Sequence, residues 1–215
     1  MSKAFSEQEK EWIRKRLLEQ GYKLFSTYGL KKTNIEDIAK AAGISKGAFY
    51  SFYDSKEALF LEVIEQAEHH IRQQILAAID LPGTSARARL FTVLKKAYSL
   101  FREIPLLQFV TGSDYDLLFR RIPAEKLQEH LANDQAFMAD LFTHCKESGI
   151  PIQMPPEQMV GLLYPLALSI INEDNLDQVG IRNNIDPLLE LVAAYCLGEV
   201  KLQLQGEGNL HDVGN

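Results

Sequence analysis

The sequence is poor in cysteine and tryptophan, with Cys145, Cys196 and the single Trp12 in 215 residues. The two cysteines are far apart and form no C-x-x-C, which argues against a disulfide scaffold and a structural zinc knot. Both read as small buried hydrophobes. Long hydrophobic runs are lacking too. The longest nearly apolar stretch, residues 159–171, is too short for a membrane span and contains Pro165. The opening residues, MSKAFSEQEKEW, hold no apolar signal-peptide core. Together these point to a soluble, cytoplasmic chain with no membrane partner. There is no Gly-rich phosphate loop, nucleophile elbow or zinc-helix motif. His69 and His70 are adjacent and point to different sides of a helix. His130 and His144 have no identifiable co-ligands, and Asp114 and Asp116 make a weak carboxylate pair. The expectation is a non-enzyme, with no catalytic residue, cofactor or metal.

What is present is ordinary globular composition, 46% apolar and 24% charged. The length suits one or two domains and buries a core without staples. The net charge of −6 is unevenly spread. Residues 1–56 hold eleven bases and seven acids, a net +4, and the remainder carries −10. A basic head on an acidic body suggests that one end meets an anion.

Almost every segment reads as helix. Ile13, Leu17, Leu24 and Tyr28 recur at helical spacing, and Gly29 ends that helix. Thr33 and Glu36 form a capping-box pattern for a short helix over residues 35–42. Gly43 breaks it, and Ser45 caps a further helix over 46–52. Asp54 or Ser55 caps a long fourth helix with the stripe Phe60, Ile64, Ala67, Ile71, Ile75 and Ile79, stopped at Leu81-Pro82-Gly83. Leu90, Leu94, Ala97 and Phe101 mark a fifth helix. Another follows Pro123, with Leu127, Leu131, Met138, Leu141 and Phe142. One more starts at Pro156 and contains Pro165, which should kink it. The last long helix takes Asp186 as N-cap and Pro187 at its first position, with the stripe Leu188, Leu191, Val192 and Tyr195. No alternating strand pattern stands out, so the fold class is all-α.

Two short helices joined by a Gly-containing turn are the skeleton of a helix-turn-helix. Ala39 is small where the helices cross. Gly43 suits a turn residue with positive φ, and Ile44 is apolar where the turn buries one side chain. The second helix of such a pair lies in the major groove with its N-terminal residues at base edges. Residues 33–60, TNIEDIAKAAGISKGAFYSFYDSKEALF, resemble the TetR family of bacterial regulators. The positions that match are Thr33, Ile38, Ala39, Ala42, Gly43, Ile44, Ser45, Gly47, Phe49, Tyr50, Ser55, Lys56, Glu57 and Leu59. Departures are Phe52-Tyr53, where the family commonly has His-Phe, and Gly21, where Ala is usual.

The resemblance implies a three-helix DNA-binding head over 1–56 and a helical ligand-binding and dimerisation body over 57–205, while the Gly-rich, polar residues 206–215 read as a flexible tail. The candidate DNA-binding residues are Thr33, Ser45, Lys46, Gly47, Ala48, Tyr50, Ser51, Phe52 and Lys56. Thr33 and Ser45 combine capping with phosphate contact. Lys46 meets a phosphate or base edge, and Gly47 permits close approach. Ala48 and Ser51 are small candidates for base readout. Tyr50 and Lys56 sit where the family has phosphate-contacting residues, while Phe52 loses the contact its histidine counterpart makes. Phe101, Phe109, Tyr115, Phe119, Phe137, Met138, Phe142 and Tyr164 are candidates to line an apolar pocket. The last two long helices would pair with those of a second subunit, with Gly161, Ala167, Ala193, Ala194 and Gly198 allowing close approach. The implied function is a repressor released from a palindromic operator in double-stranded DNA when a small-molecule effector binds the body. The alternative is a DNA-binding protein of the same type that serves chromosome-associated assembly.

Overall fold

The computed structural model describes residues 5–106, 118, 120–171 and 185–200. Eight helices are described: α1 (Glu7–Lys32), α2 (Ile35–Ala42), α3 (Lys46–Phe49), α4 (Lys56–Ile79), α5 (Ala86–Glu103), α6 (Ala124–Glu147), α7 (Pro156–Ile171) and α8 (Asp186–Cys196). The described part contains no strand. The all-α expectation therefore holds. Among the described residues no helix is long and apolar enough to cross a membrane.

Helix α1 opens on a reciprocal cap. The Glu9 N–H donates to Ser6 Oγ at 3.3 Å, and the Ser6 N–H donates to Glu9 Oε2 at 2.7 Å. Its buried face steps through Ile13, Leu17, Gly21 and Phe25, four residues at a time. The expected stripe member Tyr28 lies outside this face and is exposed. Gly21 belongs to the face because α4 comes close. A Cβ there would meet Leu59 Cδ2 at 3.2 Å, tighter than ordinary packing. Gly29 takes φ +73, so regular helix geometry is broken there and residues 30–32 leave at a new angle.

Two hydrophobic cores share α4. The first joins Phe25, Ile38, Phe49, Leu59, Phe60 and Ile64, and it extends to Leu106, Leu118 and Ile122. The second joins Ile71, Ile75 and Ile79 of α4 with Leu90, Leu94, Leu141, Ile150, Leu189 and Val192. One 24-residue helix is therefore embedded in the head at one end and in the body at the other. Arg89 closes the body side. Its guanidinium donates to the carbonyl of Ile79, the last residue of α4, and to that of Ser148, which caps α6. Two orphan helix ends are thus satisfied by one side chain.

The C-terminal helix differs from expectation. Its N-cap is Ile185, which places Asp186 and Pro187 inside the first turn. Leu188 and Leu191 are exposed, while the buried face is Leu189, Val192, Ala193, Ala194 and Cys196. Ala193 packs in the chain's own body core, and Ala194 is buried as well. Gly161 faces open space. Gly198 takes φ +70 beside Gln153. The side chain of Ala167 is outside the described set. Helix α7 runs through Pro165.

Candidate nucleic-acid interface

The helix-turn-helix forms from local backbone chemistry. Gly43 adopts φ +79, a region closed to most side chains, and its N–H returns to the carbonyls of Ala39 and Lys40. The chain reverses, and the Ile44 N–H follows to Ala39 O at 2.9 Å. Ser45 then caps α3, accepting the Ala48 N–H at 3.1 Å. Helix α3 ends at Phe49, three residues before the expected end at 52. The chain continues in tight turns, with the Ser51 N–H on Ala48 O and the Phe52 N–H on Phe49 O. Phe49 anchors this segment in the head core, edge-on to the exposed Tyr50 at 5.7 Å.

This arrangement presents a small surface. Ser45, Lys46, Gly47, Tyr50 and Ser51 are exposed and Ala48 is partly so. Gly47 has only Ser45 Oγ, at 3.9 Å, near the position of an added Cβ, so nothing inside the chain requires a glycine there. Lys46 is held by Glu36 of α2, Nζ to Oε1 2.9 Å, and that carboxylate raises the proton affinity of the ammonium. Glu36 was read in the sequence as a capping residue; its reach to Lys46 depends on the α2–α3 crossing.

Three candidates face inward. Thr33 is buried, and its hydroxyl donates to Gly29 O at 2.7 Å. It does not cap α2, whose N-cap is Asn34 without a side-chain cap bond. The capping-box expectation is therefore corrected, because the break at Gly29 turns the Thr33 hydroxyl under the end of α1. Lys56 directs its ammonium at the carbonyls of Leu30, Thr33 and Lys31, at 2.6, 2.9 and 3.3 Å. Its three N–H donors are engaged within the protein. Phe52 is half-buried against the head core, with Phe5 at 6.0 Å between ring centroids.

The Tyr53 departure is accommodated in the core. The ring is buried, with the Arg14 guanidinium 5.5 Å from its centroid. Arg14 makes a two-point ion pair with Glu62 of α4, at 3.2 and 2.7 Å. The Tyr53 hydroxyl has no hydrogen-bond partner among the described residues, and burial pushes its proton affinity up.

Four of the pocket candidates have described side chains. Phe137, Met138 and Phe142 lie partly buried on the body core, and Phe101 is exposed. Phe109, Tyr115 and Phe119 lie outside the described residues, as does the side chain of Tyr164.

Residues 17–63 match the family model for bacterial regulatory proteins, tetR family. The chain is 33% identical over 125 residues to the uncharacterized HTH-type transcriptional regulator YuxN of Bacillus subtilis, covering 54% of this chain and 43% of that one. It is 38% identical over 66 residues to the HTH-type transcriptional regulator AcrR of Shigella flexneri, covering 31% of each. The matched segments span less than half the length of either relative. The fold is similar to that of the transcriptional regulator FadR from Bacillus subtilis, solved in complex with stearoyl-CoA. That likeness has a TM-score of 0.58 and 18% identity, and covers 87% of this chain and 99% of that one. Motif, turn geometry and these matches agree, and residues 17–63 of this chain are a segment of the kind that defines the tetR family of bacterial regulatory proteins.

Proposed function

We propose that the chain is a ligand-responsive transcriptional regulator, a repressor that leaves a palindromic operator when a small molecule binds its body. The observation that carries the DNA reading is Gly47. It sits exposed at the start of α3, beside Ser45 and Lys46, with no neighbour in its own fold that excludes a side chain. An external surface that comes close, such as a DNA backbone, supplies the missing reason. The contact set is Ser45, Lys46, Gly47, Ala48, Tyr50 and Ser51. Thr33, Phe52 and Lys56 hold this surface in place.

A homodimer fits the two-fold symmetry of palindromic sites. Val160 of α7 and Leu188 and Leu191 of α8 are exposed apolar side chains on the two helices expected to pair. For the effector, the support is the fold itself: FadR has this fold and was solved holding stearoyl-CoA. The effector acts by its differential affinity for a subunit arrangement that spaces the two heads wrongly for DNA.

The test is to map the sites the protein occupies on the chromosome of its native cell. A few sites at promoters, with neighbouring genes derepressed on deletion, support the reading. Many dispersed sites away from promoters, with no change in transcription, contradict it in favour of a role in chromosome-associated assembly.

A further inference from the structure

Helix α4 leaves the head core at Ile64 and enters the body core at Ile71. Between those residues, and at the position after Ile71, Glu65, Glu68 and Arg72 meet His130 and Asp134 of α6. The spacings of three and four residues place each set on one helix face. The His130 side chain is nine-tenths buried. Its Nδ1 lies 3.6 Å from Glu65 Oε1 and 3.9 Å from Glu68 Oε2, and its Nε2 lies 3.9 Å from Asp134 Oδ2. All three separations are too long for a hydrogen bond.

His130 offers one ring nitrogen to an ion, so what bears on a shared ion is the spread of one donor atom from each residue. Two ligand atoms bound tetrahedrally at ~2.1 Å from a small divalent cation stand ~3.4 Å apart. One donor atom each from Glu68, His130 and Asp134 already lies within 4.8 Å of the others. Arg72 and, when protonated, the His130 imidazole stand against three carboxylates. Arg72 holds Glu68 Oε2 at 3.3 Å and Asp134 Oδ1, and it rests over the Phe137 ring at 5.1 Å. Asp134 Oδ2 is left turned toward His130.

We propose that Glu68, His130 and Asp134 form a binding site for a divalent first-row transition ion that ties α4 to α6. One imidazole and two carboxylates favour such an ion over magnesium or calcium. Arg72 Nη2 contacts both Glu68 Oε2 and Asp134 Oδ1 and so orients the two carboxylates, as polar neighbours of metal ligands do. Water completes the coordination. Because α4 is shared by both cores, an ion here fixes the segment between the head and the body. This goes beyond the regulatory reading, and it is tested without DNA.

The experiment titrates ZnCl2 into chelator-stripped full-length protein by calorimetry and follows thermal unfolding with and without zinc. The expected result is one equivalent per chain and a raised Tm with zinc. His130→Gln and Asp134→Asn each weaken that equivalent tenfold or more, while the double variant His69→Gln/His70→Gln leaves it intact. Glu68→Gln keeps the side-chain shape, so its zinc affinity falls while its metal-free melting stays near wild type. Absence of a stoichiometric equivalent in the wild-type chain overturns the site, whatever the variants do to the fold. An equivalent of equal affinity in His130→Gln overturns it as well.

Discussion

The Lys56 ammonium, from the first turn of α4, lies 2.6 Å from the carbonyl of Leu30 at the end of α1. Thr33 O is a second acceptor at 2.9 Å, so this lysine closes the helix end where Gly29 has redirected the chain. Lys56→Met is expected to lower stability by about 1.5–3 kcal/mol, the range for a hydrogen bond with a charged partner. Read by salt titration of DNA binding, the slope of log affinity against log salt should match wild type. A slope reduced by about 1 would show instead that Lys56 contacts a phosphate.

If Lys46 contacts DNA as proposed, Glu36 competes for it. The pair is exposed, so breaking it should change stability by less than about 0.5 kcal/mol. Glu36→Gln frees the lysine and removes a carboxylate from the edge of the interface. The expected result is tighter DNA binding at low salt, with the gain shrinking as salt rises. Weaker binding in Glu36→Gln would mean that Glu36 positions Lys46 for its contact.

Gly47→Ala separates folding from binding. The space around the new Cβ is open. Alanine is a better helix residue than glycine by about 0.5–1 kcal/mol, so the melting temperature should hold or rise. DNA affinity should fall at least tenfold. Unchanged affinity would remove Gly47 from the interface.

Cys145 and Cys196 are both buried, and burial pushes each thiol up to about 11. At pH 8 a group with that pKa is about 0.1% thiolate, and the thiolate is the reactive form. Native protein should leave a disulfide-exchange reagent nearly untouched for minutes, and protein unfolded in guanidinium should react at both thiols. Fast modification of one thiol in the native chain would identify it as a redox-accessible residue.

The α2–turn–α3 unit was legible because its determinants are local. Gly43 needs a positive φ and Ser45 needs the N–H three residues on, and both needs can be read from neighbouring residues. Thr33 was misread for the complementary reason. Its capping pattern with Glu36 is also local, but the reversal at Gly29 turns the hydroxyl onto α1 and passes the N-cap position to Asn34. The face of α1 was hidden by Gly21, which periodicity does not count as apolar although Leu59 packs on it. No co-ligand of His130 stood out in the sequence although Asp134 is one turn away, because Glu65 and Glu68 reach the pair only through the α4–α6 contact. The swap of exposed Leu188 and Leu191 for buried Leu189 and Ala193 came from α8 being apolar on more than one side.

The surface around α3 is proposed to bind a specific DNA site. Its most direct test is a titration of the purified protein against DNA from immediately upstream of its own gene, at two salt concentrations and with excess unrelated DNA. The account predicts competitor-resistant binding of one protein dimer per site, weakened by Lys46→Ala and Gly47→Ala. Binding that competitor erases at both salts, or that is indifferent to both substitutions, would contradict it.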